Sequence, residues 1–574
     1  MCGIIAVAGN SAMNVLGDIV LGLERLEYRG YDSSGIAFLN ESRKLECFKY
    51  QGRVKILKDN IKNLTSHLGI GHTRWATHGV PSDINAHPHS NEELALVHNG
   101  IIENYSTLKH DLIKKGYVFK SETDTEIALI LIYDLIKSGH SKIDALKEVF
   151  KICKGYFAIV VIFKDDDKIY GIKRGSPMVV GLSKNKNIIA SDVYAIAGVA
   201  NKVVYMEDDE MVIVSSTGVK YFESNGKEIS KKVSDIKVEA NDLEKGTYEH
   251  YMLKEIHEQS GALRNNLINH YDAKSKEVFF PHFNEDLSRF KFIKIIACGT
   301  SYNAGFIAKY WLEEYAKVEV SVDVASEFVY SSHNFDLEDV LYVFVSQSGE
   351  TADTVSAVKY VNKNKIKSSR TLAIVNVVHS QIVKLCDYCI ECFSGPEIGV
   401  AATKSFTSQL MCFALLVIKL GIDKRTITEE DGNRFIKDIN LLPNKIDEFL
   451  SSVSVNKSIK EISKVIYRYT KKGKKIIYIG KEALYGICKE AALKTQELFY
   501  VPILAFSSGE LKHGPIAILD KDTIAVILAN SNKLFNKVSS AIEEISVRKA
   551  RIALISDKNH QRADYFLNLS TLKE

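Results

Sequence analysis

The second half of the chain repeats one order of apolar runs, and this repeat constrains the possible folds more strongly than any other feature. In both copies, the first run ends at a glycine turn that opens a helical segment. Three runs of the first copy have counterparts in the second: 293–297 with 475–479, 340–345 with 523–528, and 372–376 with 552–556. Apolar strands that alternate with helices predict a doubly wound α/β unit, and the shared order predicts two copies of it.

The first half has a different pattern, with strand-like runs and few helical segments between residues 2 and 220. This pattern predicts a layered α+β sandwich. Residues 221–284 are rich in Lys, Glu, Asp and Asn, and we expect them to link the sandwich to α/β copies at 285–425 and 460–574. The length of 574 residues fits three or four domains of ordinary size.

Composition excludes several classes of partner. Hydrophobic residues make up 46% of the chain and charged residues 25%, as is typical of soluble globular proteins. The 75 basic and 71 acidic residues leave a net charge of +4, so we expect neither a nucleic acid nor a membrane surface as partner. No segment is expected to form a spanning helix of about 20 apolar residues. The nine scattered cysteines fit reduced thiols and predict a cytoplasmic location.

Cysteine follows the initiator methionine directly. Removal of Met1 would leave Cys2 with both a thiol and a free α-amine, whose ordinary pKa values are about 8.5 and about 7.7–8.0. Such a residue is a nucleophile with its own base, as in N-terminal-nucleophile enzymes. Met-Cys alone favours the alternative, an ordinary small buried residue before the apolar run 4–8.

Four polar segments of the first half change that balance. They are residues 27–35, 71–79, 98–104 and 121–126. Segment by segment, they resemble the class II glutamine amidotransferases, and the Arg-Gly-Tyr-Asp-Ser run at 29–33 resembles the sugar-phosphate branch of that group. The resemblance implies an N-terminal-nucleophile hydrolase sandwich with Cys2 as the nucleophile.

The chemistry of glutamine assigns roles to residues of these segments. Arg74 can donate two hydrogen bonds to the α-carboxylate, and Asp124 can pair with the α-ammonium group. The side-chain amide of Asn99 and the backbone N–H of Gly100 would form an oxyanion hole for the tetrahedral intermediate. The alternative for each residue is a turn or core position, and an isolated Asn-Gly pair is most often a hairpin turn.

The resemblance assigns three further residues of the same segments. It implies that Thr77 and His78 help to line the glutamine pocket. It also implies that Trp75 is an aromatic gate between two active sites, one for glutamine and one for the sugar.

Two clusters of metal-binding residue types do not predict a metal. The histidines His72, His78, His87, His89 and His98 match no zinc spacing and lack a thiolate or a clear carboxylate partner. The C-x2-C-x2-C run of Cys386, Cys389 and Cys392 has no fourth ligand nearby and is typical of a short strand. We expect no metal and no other cofactor.

The two α/β copies differ at the turn after their second apolar run. In the first copy, 346–351 (Ser-Gln-Ser-Gly-Glu-Thr) places hydroxyl groups and backbone N–H groups at the start of a helix, which suits a phosphate dianion. The alternative is a plain helix N-cap, for which a single hydroxyl suffices. The second copy has Ala-Asn-Ser-Asn at 529–532, so we expect one phosphosugar site per chain.

Motifs of this second half resemble the sugar-isomerase domains of the isomerising glutamine–fructose-6-phosphate aminotransferases. The matching motifs are 298–301, 346–351, 397–404 and 509–515. The resemblance implies that the sugar phosphate is held by Thr300, Ser301, Ser346, Gln347, Ser348, Thr351 and Val400. It implies that Glu497 shuttles a proton between C1 and C2, that His513 helps to open the sugar ring, and that Lys494 supports the site.

The combined resemblance implies one overall reaction. Glutamine would supply ammonia to fructose 6-phosphate, and isomerisation would give glucosamine 6-phosphate, the first step of hexosamine and UDP-N-acetylglucosamine synthesis. The partners expected are therefore L-glutamine and fructose 6-phosphate. Because sugar-isomerase units commonly pair, a homodimer is also expected.

Two departures from the family keep alternatives open. Ala402 stands where the family often has serine, and the sequence ends at Glu574, before the family's tail with its Schiff-base lysine. The second α/β copy is therefore expected to be incomplete at its C-terminal end. The first alternative is a glutaminase with an impaired synthase half, and the second is a non-catalytic sugar-phosphate sensor, against which Cys2 and the glutamine motifs argue.

Overall fold

The chain divides into two compact units, Met1–Gly246 and Thr247–Glu574. The computed structural model describes residues 2–76, 78–236, 243–531 and 534–570. The expected pocket residue Thr77 and the turn residue Asn532 lie outside the described residues.

The first unit consists of antiparallel strands and helices. Its strands are β1 (Gly3–Gly9), β2 (Ser33–Leu39), β3 (Leu45–Gln51), β4 (Leu68–Arg74), β5 (His89–Ser90), β6 (Leu94–Ile102), β7 (Gly155–Phe163), β8 (Ile169–Arg174), β9 (Val179–Leu182), β10 (Lys186–Ala190), β11 (Lys202–Tyr205), β12 (Glu210–Val214), β13 (Val219–Glu223), β14 (Glu228–Ile229) and β15 (Ser234–Asp235). Its helices are α1 (Leu16–Leu26), α2 (Val54–Asn60), α3 (Tyr105–Lys114), α4 (Asp124–Lys137), α5 (Lys142–Ile152) and α6 (Val193–Ile196).

These strands form two sheets that pack face to face between layers of helices. Over the described part of the unit, one sheet has eight strands in the order β15-β11-β9-β10-β1-β4-β2-β3, and the other has seven in the order β14-β13-β12-β8-β7-β6-β5. One core lies between the sheets, and two further cores lie under helices α1, α2 and α6 and under helices α3, α4 and α5. The unit is thus a four-layer α+β sandwich.

Strand β1 shows why an uninterrupted apolar run suits this position. Successive side chains of a strand point to opposite faces of the sheet. Ile4 and Ala6 therefore lie in the core between the sheets, while Ile5 and Val7 pack under the helices. Both faces of β1 are buried, so both need apolar side chains, and the preceding Cys2 is held at the end of a central strand.

The second unit alternates helices with strands that are parallel except for the antiparallel pair β16 and β17. Its helices are α7 (Tyr251–His257), α8 (Gln259–His270), α9 (Gly299–Tyr315), α10 (Ala325–Phe328), α11 (Ala352–Asn364), α12 (Gln381–Leu385), α13 (Lys404–Asp423), α14 (Glu429–Ser451), α15 (Val453–Lys471), α16 (Ala483–Phe499) and α17 (Phe535–Val547). Its strands are β16 (Tyr271–Asp272), β17 (Glu277–Val278), β18 (Phe292–Ala297), β19 (Glu319–Val324), β20 (Val340–Ser346), β21 (Arg370–Val375), β22 (Tyr388–Glu391), β23 (Lys475–Gly480), β24 (Leu504–Ser507), β25 (Thr523–Leu528), β26 (Arg551–Ser556) and β27 (Tyr565–Asn568).

The predicted repeat is present as two parallel sheets of the same strand order. Among the described residues, each sheet has five strands, ordered β19-β18-β20-β21-β22 in the first copy and β24-β23-β25-β26-β27 in the second. Counted from the first strand of each copy, both orders are 2-1-3-4-5. Ligands of such sheets bind at the carboxyl ends of the strands, where the order reverses between strands 1 and 3.

The segment 221–284, expected to be a linker, contains regular structure on both sides of the unit boundary. Strand β14 pairs with β13, and strand β15 pairs with β11, so the sandwich extends to Asp235. Helices α7 and α8 belong to the second unit.

Helix α13 corrects one expectation from the sequence. Contrary to the prediction that no segment approaches a spanning helix, Lys404–Asp423 is long and apolar enough by length and composition to cross a membrane. However, 67% of its most apolar stretch is buried inside the fold, where Phe413 and Leu416 belong to the core of the first α/β copy. This burial is that of a core helix.

Candidate active sites

The Cys2 thiol lies against the backbone of Trp75 in the sandwich unit. The Trp75 N–H donates to the sulfur at 3.3 Å, and the sulfhydryl donates to the Trp75 carbonyl at 3.6 Å. The Asn99 Nδ2 donates to the Cys2 carbonyl at 2.9 Å. Cys2, which directly precedes β1, is therefore fixed through both its side chain and its backbone.

Burial raises the pKa of the Cys2 thiol above its ordinary value, and Asp32 contributes in the same direction. The Trp75 N–H and the Arg74 guanidinium lower the pKa but do not cancel the effect of burial. Because the thiolate is the nucleophilic form, a thiol in this environment needs a base. An α-amine on the same residue would supply one.

Arg74 and Asp124 place opposite charges beside Cys2. Arg74, the last residue of β4, donates through Nη2 to the carbonyls of His78 and Gly79, whereas its buried Nη1 has no partner among the described residues. Asp124, the first residue of α4, accepts from the Ile102 N–H at 2.8 Å. The two charged residues and Cys2 line one cavity. A cavity with a cation, an anion and a nucleophile suits an α-amino acid.

Gly100 occupies a position that only glycine can adopt. Its φ of +123° lies in the region that disfavours other residues, and an added Cβ would lie 2.0 Å from the Tyr156 carbonyl oxygen. The neighbouring Asn99 is buried. Both Asn99 and Gly100 belong to strand β6 and lie near Cys2. The structure thus brings the expected oxyanion-hole residues together with the expected nucleophile.

Trp75 and His78 flank this cavity. The Trp75 side chain is 40% exposed and packs edge-on against Tyr31, with ring centroids 5.6 Å apart. The His78 ring packs in the same way against Tyr105, at 5.1 Å. The role of Trp75 as a gate remains a prediction.

The histidines near the cavity form a buried, uncharged cluster. The rings of His72 and His87 lie 4.2 Å apart, and those of His87 and His89 lie 5.1 Å apart. Burial lowers the pKa of His72, His87, His89 and His98, so all four are neutral at physiological pH. Within the ranges that the structure describes, no group of three or more His, Cys, Asp or Glu side chains is arranged to hold a metal ion.

The turn expected to bind phosphate joins β20 to α11. Ser346 Oγ accepts from the Gly349 N–H and lies 3.0 Å from Thr351 Oγ1, and Ser348 Oγ accepts from the Glu350 N–H at 3.2 Å. Two of the backbone donors expected for a ligand are thus already used inside the turn. Thr351 is the N-cap of α11 but makes no side-chain capping bond, so its hydroxyl does not serve as a plain cap.

Gly349 gives this turn its shape. Its φ is +65°, and an added Cβ would lie 1.9 Å from the Ser380 hydroxyl oxygen. The turn follows strand 3 of the first α/β copy at the carboxyl end of the sheet, which is the usual ligand position in this topology. Gln347, which is half-buried, makes no side-chain hydrogen bond within the described part of the chain.

The corresponding turn of the second copy holds a carboxylate of its own. Asp557 accepts from the Ser531 N–H at 2.8 Å and from the Ser531 hydroxyl at 2.6 Å. The backbone and hydroxyl donors of Ser531 are thus already used by a carboxylate of the chain itself. This geometry agrees with the expectation that the second copy lacks a phosphate site.

Helices α9 and α16 share a charged network near the switch point of the first copy. Thr300 Oγ1 donates to Glu490 Oε1 at 2.9 Å and accepts from Lys494 Nζ at 3.0 Å. Asn303 donates to the second oxygen of Glu490 at 2.8 Å, and Lys494 Nζ lies 2.8 Å from Glu497 Oε2. Three of the expected sugar-site residues, Thr300, Lys494 and Glu497, therefore lie in one cluster.

The other expected sugar-site residues outside the turn 346–351 differ in burial and do not join this cluster. Ser301 is buried and accepts from the Gln409 amide at 3.0 Å, and Val400 is 46% exposed in the loop before α13. His513 is exposed in the 3₁₀ turn Glu510–His513 and makes no hydrogen bond or ion pair with the described residues. The structure does not bring His513 into contact with the Glu497 cluster.

Two buried carboxylates hold the Val400 loop. Glu255 on α7 accepts from the N–H groups of Ile398 and Gly399 at 2.6 and 2.9 Å. Glu397 accepts from the N–H groups of Thr403 and Ser405 at 2.9 and 3.1 Å. The loop is thus held by hydrogen bonds to two buried carboxyl groups.

Glu255 makes the stability of the second unit depend on pH. Burial and the nearby Glu397 raise its pKa to about 7, against the lowering effect of the Gly399 and Ile398 N–H groups and Lys404. Between the ordinary value of about 4.3 and about 7, the folded state binds more protons than the unfolded state, so the free energy of unfolding falls as pH rises. We expect Glu255 to contribute a loss on the order of 3 kcal/mol across this range.

The Glu255→Gln variant should remove this slope, because glutamine keeps an acceptor oxygen and has no charge. Trp75 and Trp311 are the two tryptophans of the chain, so Trp311 fluorescence in a Trp75→Phe background follows urea unfolding of the second unit. Measurements at pH 5 and pH 8 should show a smaller difference for the glutamine variant. Equal differences in both proteins would contradict the expectation.

Three residues of these sites were missed by the reading of the sequence. Glu490 precedes Lys494 by four residues and Glu497 by seven, a spacing that places all three on one helix face and could have revealed it. Asp32, which accepts from the Ala76 N–H at 2.7 Å, lies inside a recognised segment but had no assigned role. Glu255 gives no local signal, because its partners are more than 140 residues away.

Comparisons with known proteins agree with this two-part arrangement. The model of the glutamine amidotransferase domain matches residues 72–198, and the model of the SIS domain matches residues 286–419 and 469–565. The chain is also similar to a solved structure described as the C-terminal domain of glucosamine-fructose-6-phosphate aminotransferase from Francisella tularensis. The TM-score is 0.52 and the identity 33%, over 57% of this chain and 91% of that chain.

Full-length relatives match almost the whole chain. A protein of Clostridium acetobutylicum named glutamine–fructose-6-phosphate aminotransferase (isomerizing) is 38% identical over 560 residues, or 96% of this chain and 89% of the relative. A protein of Bartonella quintana with the same name is 36% identical over 575 residues, or 100% of this chain and 92% of the relative. The chain therefore belongs to the family of isomerising glutamine–fructose-6-phosphate aminotransferases.

Proposed function

We propose that this chain uses L-glutamine to convert fructose 6-phosphate into glucosamine 6-phosphate, with release of glutamate. The observation that carries the proposal is the presence of two complementary sites in one chain of this family. One site is the Cys2, Arg74 and Asp124 cavity, which suits an α-amino acid. The other is the hydroxyl-lined turn 346–351 at the carboxyl end of a parallel sheet, which suits a phosphate.

In the first half-reaction, the Cys2 sulfur attacks the side-chain amide carbon of glutamine. The α-amine of a processed Cys2 takes the thiol proton and passes it to the leaving nitrogen, which departs as ammonia. Asn99 and Gly100 stabilise the oxyanion, and Arg74 and Asp124 hold the carboxylate and ammonium groups. Water then hydrolyses the glutamyl thioester. The four-layer sandwich with its nucleophile at the start of a central strand supports assignment to the N-terminal-nucleophile hydrolases.

In the second half-reaction, ammonia adds to the C2 carbonyl of the open sugar and water is lost, which gives an imine. Glu497 removes a proton from C1 and returns it to C2, so that C1 becomes the aldehyde of glucosamine 6-phosphate. Lys494, 2.8 Å from Glu497, holds that carboxylate in place. We assign His513 to ring opening on the family resemblance alone.

The proposed sugar-phosphate contacts come from three segments of the first α/β copy: the turn before α11, the start of α9 and the loop before α13. Ser346, Gln347, Ser348 and Thr351 would bind the phosphate, since their hydroxyl and amide groups lie together before α11. Thr300, Ser301 and Val400 would contact the rest of the sugar phosphate. Trp75 would limit the escape of ammonia, and Thr77 and His78 would complete the glutamine pocket.

One assay tests the proposal. Glutamate and glucosamine 6-phosphate are measured together, with and without fructose 6-phosphate. We expect equal amounts of both products when both substrates are present. Glutamate alone would reject the synthase half, and the absence of both products would reject the proposed function.

The comparisons do not favour the alternative of a glutaminase with an impaired synthase half. The relatives that match 96–100% of this chain carry the name of the complete aminotransferase, and both SIS regions match the family model. The chain spans about nine tenths of the length of these relatives.

The Ser348→Ala variant should weaken binding of fructose 6-phosphate. A hydrogen bond to a charged group contributes about 1.5–3 kcal/mol, so we expect the KM for fructose 6-phosphate to rise about 10- to 100-fold. The matched control is Ser531→Ala, which removes the corresponding hydroxyl of the second copy, where Asp557 fills the turn. Its KM should be unchanged. An unchanged KM for Ser348→Ala would place the phosphate elsewhere.

Two properties of the whole protein are proposed on less specific grounds. The nine cysteines are free thiols, which supports a reducing compartment such as the cytoplasm. Association into a homodimer is proposed because sugar-isomerase units commonly pair. Sedimentation of the purified chain would test the second property.

A further inference from the structure

His72 lies in strand β4 beside the proposed oxyanion hole, although neither the motif nor the reaction assigns it a role. It is completely buried. Its Nε2 lies 3.0 Å from the His98 carbonyl oxygen, 3.1 Å from Asn99 Oδ1 and 3.2 Å from His87 Nδ1. Its Nδ1 is buried and has no partner among the described residues.

These contacts fix the tautomer of His72. A backbone carbonyl can only accept a hydrogen bond, so the nitrogen facing the His98 carbonyl carries the proton. The proton is therefore on Nε2, and the unpartnered Nδ1 is bare. His87 Nδ1 faces a protonated nitrogen and must also be an acceptor, which leaves the His87 proton on its Nε2.

The same proton fixes the orientation of the Asn99 amide. Because His72 Nε2–H is a donor, the atom of Asn99 that faces it is the carbonyl oxygen Oδ1. The amide nitrogen then faces Cys2, where one N–H donates to the Cys2 carbonyl at 2.9 Å. The second N–H of Asn99 has no partner among the described residues and is available to an oxyanion.

Without a donor at His72, the Asn99 side chain keeps only the Cys2 carbonyl to distinguish its two ends, and the population of the flipped amide rises. A flipped amide would place an oxygen where the tetrahedral intermediate develops negative charge. Loss of one oxyanion-hole donor typically lowers kcat by about 10²–10³-fold. A neutral imidazole keeps the donor in place, and burial lowers the pKa of His72 to about 3, so it stays neutral throughout the physiological range.

We infer that His72 is a positioning residue for glutamine hydrolysis, which aims the Asn99 amide at the oxyanion through its Nε2–H. The inference rests on the proposed function of the Cys2 cavity. His72 touches neither the substrate nor the reacting sulfur in this role, so its effect should fall on kcat and not on the binding of glutamine.

The test compares His72→Gln with His72→Met, two unbranched side chains of similar size. Glutamine has an amide N–H that can replace the imidazole donor, whereas methionine has none. For His72→Met, we expect kcat for glutamine hydrolysis to fall about 100-fold, with KM within threefold of the unmodified chain. For His72→Gln, most of kcat should return. Alkylation of Cys2 by iodoacetamide needs no oxyanion hole, so its rate should stay within threefold in both variants.

The outcomes separate this inference from the proposed function. If the unmodified chain does not hydrolyse glutamine, the proposed function fails. If it does, two results for His72→Met would overturn only the role of His72. The first is an unchanged kcat, and the second is a fall in kcat together with a raised KM for glutamine and slower alkylation of Cys2. Should the methionine variant not fold, NMR of the unmodified full chain with ¹⁵N-labelled histidine decides the question. A neutral His72 ring with its proton on Nδ1 and a bare Nε2 would overturn the inference.

Discussion

Replacing Cys2 with alanine is expected to lower the rate of glutamate release by at least about 10⁴-fold, because the variant has no atom that can form the thioester. The Arg74 and Asp124 groups remain, so glutamine should still bind in the cavity. Glutamate formed from glutamine is measured directly. Synthesis of glucosamine 6-phosphate from added ammonium chloride should continue, because that half-reaction does not use the sulfur.

The matched control for this change is Cys47→Ala. Cys47 is a second half-buried thiol of the same unit, and burial raises its pKa as it does for Cys2. Its replacement should leave glutamate release unchanged. Continued release by Cys2→Ala would reject the nucleophile. Mass spectrometry of active material that still carries Met1 would reject the role of the Cys2 amine as base.

Replacing Glu497 with glutamine is expected to lower kcat for glucosamine 6-phosphate formation by about 10²–10⁴-fold, the usual contribution of a positioned acid–base group. Glutamine cannot take up the C1 proton, but it keeps the shape of the side chain. A second measurement follows exchange of the C1 hydrogen of fructose 6-phosphate with deuterium from the solvent. In the variant, the rate of glucosamine 6-phosphate formation and the rate of C1 hydrogen exchange should fall together.

The control for Glu497→Gln is the same change at Glu461, an exposed residue of α15 in the same unit. Glu461→Gln should keep both signals, and glutamine hydrolysis without sugar should be unaffected in either variant. If Glu497→Gln kept the exchange of the C1 hydrogen, another residue would carry the proton.

The fold was predictable where the signal is local and repeated. The order of apolar runs in the second half determined two α/β copies, because each buried strand must be apolar on both faces. The turn 346–351 was predictable for the same reason, since hydroxyl residues directly follow a buried strand. In the first half, Arg74, Gly100 and Asp124 were found from motifs and line one cavity. Asn99, from the same motifs, donates to the carbonyl of Cys2, which also lines it.

The contacts that depend on distant pairing were not predictable. Thr300 was expected to contact the sugar phosphate, yet its hydroxyl also joins Glu490 and Lys494, about 190 residues further along the chain. No periodicity in one sequence encodes which helix packs against α9. The same holds for Glu255 and the Val400 loop. The apolar character of α13 was misjudged because five of its first six residues are polar and only the following stretch is continuously apolar.

The Asp557 carboxylate in the turn of the second copy has a consequence for how this enzyme family can change. The duplicated unit that lost its anion cradle still contributes α16, with Glu490, Lys494 and Glu497, to a cluster with the copy that kept it. Under the proposed roles, binding of the phosphate and movement of the substrate proton would be encoded by separate copies. Substitutions in the cradle could then change substrate binding while the acid–base residues are inherited intact.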